Sequence, residues 1–200
     1  GKRFMDDKAA ETLLRPLTAP IANAVRERRY TLRFHIVNDP AINAFALPGG
    51  KVGVYTGLLK LASSDDEVAT VIGHEIAHVV ARHSAEKMAQ MELAQGLTGA
   101  VTMATYDPNN PNTAYIAQSV ANMIQMKYGR GQELQSDNLG VRFMLESGYQ
   151  PEQLINVMEI LKQAAGPNRT PEFQSSHPDP ENRQEAIKAA IQEWKGKLGR

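Results

Sequence analysis

His74-Glu75-Ile76-Ala77-His78 is the stretch on which the reading of this chain turns. On an α-helix, residues four apart are rotated by about 40° and lie about 6 Å apart along the axis. Both imidazoles therefore leave one face, close enough to share a metal ion. Glu75 stands about 100° round from His74, beside such an ion rather than on it. A carboxylate placed there can take a proton from a water that the metal polarises. The five residues point to a zinc-dependent peptidase. The alternatives are a chance match in a helical protein and a pair of hydrogen-bonded core histidines.

The flanking residues bear on that choice. With His74 at 0°, Val68, Ile72, Ile76 and Val79 fall between about 120° and 200° round the helix. The two histidines and the glutamate thus sit in one arc beside an apolar stripe, and burying them is costly unless something binds them. Ser63-Ser64-Asp65-Asp66-Glu67 supplies capping residues for the start of this helix, which is expected to run past residue 95.

A catalytic zinc takes three protein ligands and keeps one open position. His83 lies nine residues after His74, about 180° round the same helix, and is expected to point away as a packing or hydrogen-bonding residue. The H-E-x-x-H-x-x-G-x-x-H extension fails as well, because Ala81 stands where Gly is needed and Ser84 where the third His would be. Glu133 is the better third ligand. It opens a later helix within Gly131-Gln132-Glu133-Leu134-Gln135-Ser136-Asp137, with Asp137 one turn on and facing the same way. Asp137 can accept the free ring N–H of a metal-bound histidine and fix its tautomer. Taken alone, the pair reads better as two solvated acids; joined to the upstream H-E-x-x-H, it reads as a ligand and its support.

Composition narrows the setting. The 200 residues suit one domain, residues 1–200, with an N-terminal helix over about 6–29 and a catalytic core over about 30–200. Lys plus Arg equals Asp plus Glu at 22 each, which gives no basic excess for nucleic acid. Cysteine is absent, so disulfides and thiolate ligands are excluded. No run of about 18 apolar residues is present to span a membrane. The opening Gly-Lys-Arg-Phe leaves room for a signal or anchor segment ahead of it, and so for membrane association.

Along the chain, Leu13, Leu14, Leu17, Ile21 and Val25 are at helical spacing, with Pro16 and Pro20 expected to kink or restart that helix. Thr31 to Val37, Asn43 to Leu47 and Val52 to Tyr55 are short strands, the last two joined by the turn Pro48-Gly49-Gly50-Lys51. Helices are expected at about 57–62, 113–127, 132–147, 151–165 and 180–195, with a break at Tyr106 to Asn112. Trp194 and the methionines read as core filling. The class is α+β, mostly α, with a small three-stranded sheet.

His74 to His78 together with Glu133-x-x-x-Asp137 resembles the gluzincin pattern. More narrowly, it resembles the family of the HtpX heat-shock protease, the CaaX prenyl endopeptidase and the mitochondrial Oma protease, metallopeptidase family forty-eight. Asn43 to Gly50 with Thr56-Gly57-Leu58-Leu59, Ser64 to Ala69, and Ser176-His177-Pro178 with Arg183 carry the likeness further. It covers about residues 40–185.

The resemblance implies a zincin-like domain, its sheet packed on the zinc helices, with one zinc on His74, His78 and Glu133 and with Glu75 as catalytic base. It implies that Asp137 supports a ligand, and that His177 and Arg183 approach the pocket from the C-terminal side. There His177 could donate to the oxyanion of the tetrahedral intermediate, and Arg183 could orient it or hold a carboxylate. A helix-entry turn is the other reading of Ser176-His177-Pro178. The segment Asn43 to Tyr55 resembles the strand along a zincin cleft, where an extended substrate could add its backbone. The expectation is an endopeptidase for unfolded or extended protein segments, in the quality control of a bacterial envelope or periplasm. The rival is a metal-bearing chaperone or outer-membrane assembly factor with latent proteolysis.

Overall fold

The computed structural model describes residues 3–4, 7–26, 29–105, 113–165, 173, 176–177 and 182–200. The break expected at Tyr106 to Asn112 lies outside the described residues. The fold is organised around helix α3, Asp65–Val80, buried from Glu67 to Val79. Its start follows from the capping residues: Ser64 Oγ accepts from Glu67 N at 3.2 Å, while Glu67 Oε2 accepts from Ser63 N at 2.7 Å. Two otherwise unpaired donors at the helix entry are thereby satisfied.

The sheet forms from β1 (Arg3–Phe4), β2 (Arg33–Asn38), β3 (Ala44–Leu47) and β4 (Lys51–Tyr55). The three expected strands are present, and the two-residue β1 pairs antiparallel with β2 at one margin. The order is β1-β2-β4-β3, with β2 and β4 parallel and β3 antiparallel to β4. β3 therefore lies at the other margin, and β4 is interior. Gly49 at φ 82° and Gly50 at φ 87° make the β3–β4 turn, in the left-handed region that glycine enters without strain.

Helix α1, Asp7–Ala24, contains both Pro16 and Pro20 and is continuous. Leu14, Ile21 and Val25 are buried and Leu17 packs partly, whereas Leu13 is exposed. Helix α2, Thr56–Leu61, follows β4 directly.

Two helical expectations need correction. The helix carrying His74 to His78 does not run past residue 95, because it stops at Val80 and a new helix, α4, spans His83–Thr105. Between them Arg82 takes φ 63°, a left-handed conformation costing a non-glycine residue roughly 1–2 kcal/mol. Ala81 N and Arg82 N bond back to Ala77 O and Val79 O at 2.9 and 3.1 Å, closing α3 without Gly or Pro. Conversely, the two helices expected at 113–127 and 132–147 are one, α5, Thr113–Ser147. The Gly129-Arg130-Gly131 sequence does not interrupt it. Gly148, at φ 84°, ends it as expected.

Helices α6 (Gln153–Ala165) and α7 (Arg183–Leu198) follow, with Phe173, Ser176 and His177 described between them. The main core joins the sheet, α1, α3, α5 and α6. A second core holds Val141, Leu145, Leu154, Ile187 and Ile191, with Trp194 packed partly against it. Helix α3 contacts α1, α5, α6, β3 and β4. Its side chains thus face protein on every side, and its polar residues face a site built from several elements.

Candidate metal centre

Helix α5 approaches α3 along a stripe of Glu133, Asp137, Gly140 and Met144, spaced to share one helical face. A Cβ on Gly140 would lie 3.4 Å from both Cα and N of His74, so the two backbones nearly touch there. That approach brings the carboxylates of α5 onto the imidazoles of α3. His74, Glu75, Glu133 and Asp137 are almost wholly inaccessible to solvent, and His78, His177 and Arg183 are buried as well.

Four ligand-type side chains converge: His74, His78, Glu133 and His177. His78 Nε2 lies 3.0 Å from His74 Nε2, and His74 Nε2 lies 3.4 Å from His177 Nδ1. Glu133 Oε2 is 3.2 Å from His74 Nε2, and its Oε1 is 3.4 Å from His78 Nε2 and 3.2 Å from His177 Nδ1. Ligands bonded tetrahedrally to zinc at about 2.0–2.1 Å lie about 3.3 Å apart. The distances from His74 Nε2 to His78 Nε2, Glu133 Oε2 and His177 Nδ1, 3.0–3.4 Å, are close to that edge.

The chemistry of the donors fits a cation too. His74 Nδ1 lies 2.9 Å from Asp137 Oδ1, close though not in full hydrogen-bond alignment. A carboxylate only accepts, so Nδ1 carries the proton and Nε2 turns a lone pair towards the other ligands. His78 Nε2 and the Glu133 carboxylate turn theirs to the same point. Such a cluster repels itself unless a positive charge sits within it.

Without a metal, a proton fills that need. Burial alone would push His74 down, but Asp137 and Glu133 outweigh it and raise its pKa to about 10. Burial and the charge on His74 instead hold His78 below the ordinary histidine range, against the opposing pull of Glu133. Burial opposes ionisation of both carboxylates, yet each is held well below its usual range. His177, His74 and His78 do this for Glu133, and His74 and Arg183 for Asp137.

Arg183, at the first turn of α7, grips both acids. Its Nε donates to Asp137 Oδ2 at 2.7 Å, its Nη2 donates to Asp137 Oδ1 at 2.9 Å, and Nη2 lies 3.2 Å from Glu133 Oε2. Neither Glu75 oxygen has an aligned hydrogen-bond donor among the described residues, although Oε1 is 3.3 Å from His177 Nε2. A carboxylate left buried and unbonded is a group kept available.

All seven residues singled out in the sequence meet here, and His83, set aside in the sequence, joins them. His177 places Nδ1 among the ligand atoms, where a fourth donor would sit, rather than beyond them. His83, expected to face away, turns back towards the site because α3 ends before it, and its Nδ1 lies 2.9 Å from His78 Nδ1. Sequence reasoning also missed Phe173, which stacks on the His177 ring at 4.3 Å, and Ser84, whose Oγ donates to Ala46 O at 3.0 Å. Neither carries a motif signal.

The sequence pattern of peptidase family M48 matches residues 11–191. The chain belongs to peptidase family M48. It is 36% identical over 155 residues to the mitochondrial metalloendopeptidase OMA1 of Arabidopsis thaliana, covering 78% of this chain and 30% of that protein. The mitochondrial metalloendopeptidase OMA1 of Saccharomyces cerevisiae is 33% identical over 151 residues, 72% of this chain and 42% of its own length. The beta-barrel assembly-enhancing protease of Escherichia coli strain K12 is 30% identical over 170 residues, 81% of this chain and 34% of its own length. The chain thus spans less than half the length of these M48 relatives.

Proposed function

We propose that this M48 domain is a zinc metalloendopeptidase, with His74, His78 and Glu133 as ligands and Glu75 as the general base. The observation that carries the reading is the convergence of two imidazoles from one helical turn with a carboxylate from α5, around a point that demands positive charge. Zinc held there would supply Lewis acidity, lowering the pKa of a water towards 7 and polarising a peptide carbonyl. Glu75 takes the proton of the attacking water through an oxygen with no competing donor, then returns a proton to the leaving amine. Asp137 holds the His74 ring in its tautomer, and Arg183 holds Asp137 and Glu133 in register.

His177 has two roles in this reading. With Nδ1 against the ligand atoms it closes the position that water needs, so the resting site is latent. Once withdrawn, it stands within reach to donate to the oxyanion. That closure is the specific observation favouring the second reading, a metal-bearing chaperone or assembly factor with slow proteolysis.

The substrate is an extended protein segment. A cleft of about 490 Å³ opens beside the site, lined among others by Phe45, Leu47, Glu75, Met88, Met91 and His177. Its wall includes the edge strand β3, where a segment could add by main-chain hydrogen bonds. Interior β4 cannot serve this way, so the edge expected over Asn43 to Tyr55 narrows to Ala44–Leu47. Placement in a bacterial envelope draws its support from likeness to the beta-barrel assembly-enhancing protease; the mitochondrial relatives share the domain equally. No helix among the described residues is long and apolar enough to cross a membrane.

The test is metal content per chain, with cleavage of casein or a denatured protein measured with and without chelator. Glu75→Gln should keep one zinc and lose ~10²–10⁴-fold in turnover. Full turnover in that variant would end the assignment.

A further inference from the structure

Each histidine of the H-E-x-x-H turn has a second ring nitrogen that faces away from the ligand cluster. For His74 the partner is the Asp137 carboxylate. For His78 it is His83, a residue that a continuous helix would have carried to the opposite side. The left-handed Arg82 ends α3 and starts α4, and so returns His83 to within 2.9 Å of His78 Nδ1.

The protons along this line can be placed in order. Gln135 Oε1 lies 3.0 Å from His83 Nε2, and a carbonyl oxygen only accepts, so His83 Nε2 carries a hydrogen. A neutral His83 then has a lone pair on Nδ1. His78 Nδ1 must donate into it, which leaves His78 Nε2 as the bare nitrogen facing His74 Nε2 and Glu133 Oε1. Ser136 Oγ lies 3.1 Å from the same nitrogen, and its rotatable hydroxyl can turn its hydrogen elsewhere and leave that lone pair to His78. Gln135 and Ser136 both lie on α5, the helix that also supplies Glu133 and Asp137. His83 and Ser136 are buried, which shields the relay from water.

We propose that His83 is a positioning residue: it accepts the Nδ1 proton of His78 and so holds that ring in the tautomer and orientation that metal binding requires, with Gln135 setting the direction of the relay. The inference rests on the metal-binding reading above. It gives the two imidazole ligands unlike supports. His74 leans on an anionic acceptor, which raises its basicity, and His78 on a neutral one, which orients it with less charge. It also gives the left-handed Arg82 a role at the α3–α4 junction, since a straight helix would leave His78 Nδ1 without its acceptor.

The experiment measures zinc affinity by competition with a chromophoric chelator, and the visible spectrum of the cobalt-substituted protein, for wild type, His83→Leu and His83→Asn. Leucine removes the acceptor, whereas the asparagine Oδ1 restores one near the Nδ1 position. The leucine variant should bind zinc ~10–100-fold more weakly, with an altered cobalt spectrum, and the asparagine variant should recover most of both.

If His83→Leu fails to fold, Gln135→Leu tests the same relay from a more exposed position. It should weaken zinc several-fold and shift the cobalt spectrum in the same sense. Equal affinity and an unchanged spectrum in His83→Leu, or in Gln135→Leu where that stands in for it, would overturn the relay. So would an asparagine variant as impaired as leucine. Absence of stoichiometric zinc from the wild type would instead defeat the metal-binding reading, which separates the two failures.

Discussion

His177 presents both ring nitrogens to the site, Nδ1 to the ligand atoms and Nε2 to Glu75 Oε1 at 3.3 Å. On the proposed zinc reading, any small molecule that reaches the fourth ligand position must first displace it. In His177→Ala that displacement is no longer needed, so acetohydroxamate should bind the zinc-loaded variant at least about tenfold more tightly than wild type, a gain of ~1.4 kcal/mol. Titration with zinc in excess reads this directly and does not depend on whether His177 also assists turnover. Equal binding would mean that the imidazole does not occupy that corner in solution. At this scale the sequence was legible where helical spacing decides. His74, Glu75 and His78 share one turn, and Glu133 and Asp137 share another. His177 was brought to the pocket by resemblance alone and not placed at the fourth corner, because it reaches the site from outside the long helices, where no periodicity fixes a direction.

Between residue and site stand the elements, and here two short features decide the geometry. The first is the α3–α5 crossing. A Cβ at Gly140 meets the His74 backbone at 3.4 Å, an ordinary contact, so Gly140→Ala should be tolerated. The γ methyls of Gly140→Val would press into α3, costing ~1–3 kcal/mol by overpacking and drawing Glu133 away from His74 and His78. Denaturant midpoints and zinc affinity measured on the pair should separate them, with valine losing both and alanine near wild type. A valine variant with unchanged zinc affinity would show that the close approach does not set the ligand spacing.

The second feature is the edge strand β3. Tyr55 N donates to Asn43 O at 3.1 Å, and antiparallel alternation then turns the backbone groups of Ala44 and Ala46 outwards. Ser84 Oγ already holds Ala46 O. Ala46→Pro removes the outward N–H on a strand edge, where proline is tolerated. KM for an unfolded substrate should rise ~2–10-fold, the worth of one hydrogen bond, while zinc affinity and kcat stay near wild type. An unchanged KM would remove β3 from the substrate path. The strands and most helices were legible because alternation, caps and turn residues mark them. The α3–α4 break was not, since Ala81-Arg82 carries no Gly or Pro and the chain turns there through an arginine at positive φ. The unbroken α5 was missed for the opposite reason, as Gly129 and Gly131 lie inside a helix despite their low propensity.

Across the whole molecule, the proposed metal site ties together parts of the chain that no single core joins: α3 through its histidines, α5 through Glu133, α7 through Arg183 on Asp137, and the segment at His177. A ligand that binds only the folded state stabilises it by mass action, ~2.7 kcal/mol at a hundredfold excess over its dissociation constant. For a chain of this size that corresponds to about 5–10 °C in melting temperature, so chelation should lower the melting point by that order. The gap should also depend on pH, with a definite sign. In the metal-free fold the His74 pKa is raised to about 10, from an unfolded value near 6.5. Its proton therefore adds stability that is fully present below about pH 6.5 and is lost as pH rises towards 10. Zinc replaces that proton, and its affinity grows as competition from protons falls. The difference between the zinc-loaded and stripped melting temperatures should accordingly widen from pH 6.5 to pH 9. A constant or narrowing gap across that range would mean that zinc does not displace a proton held at His74.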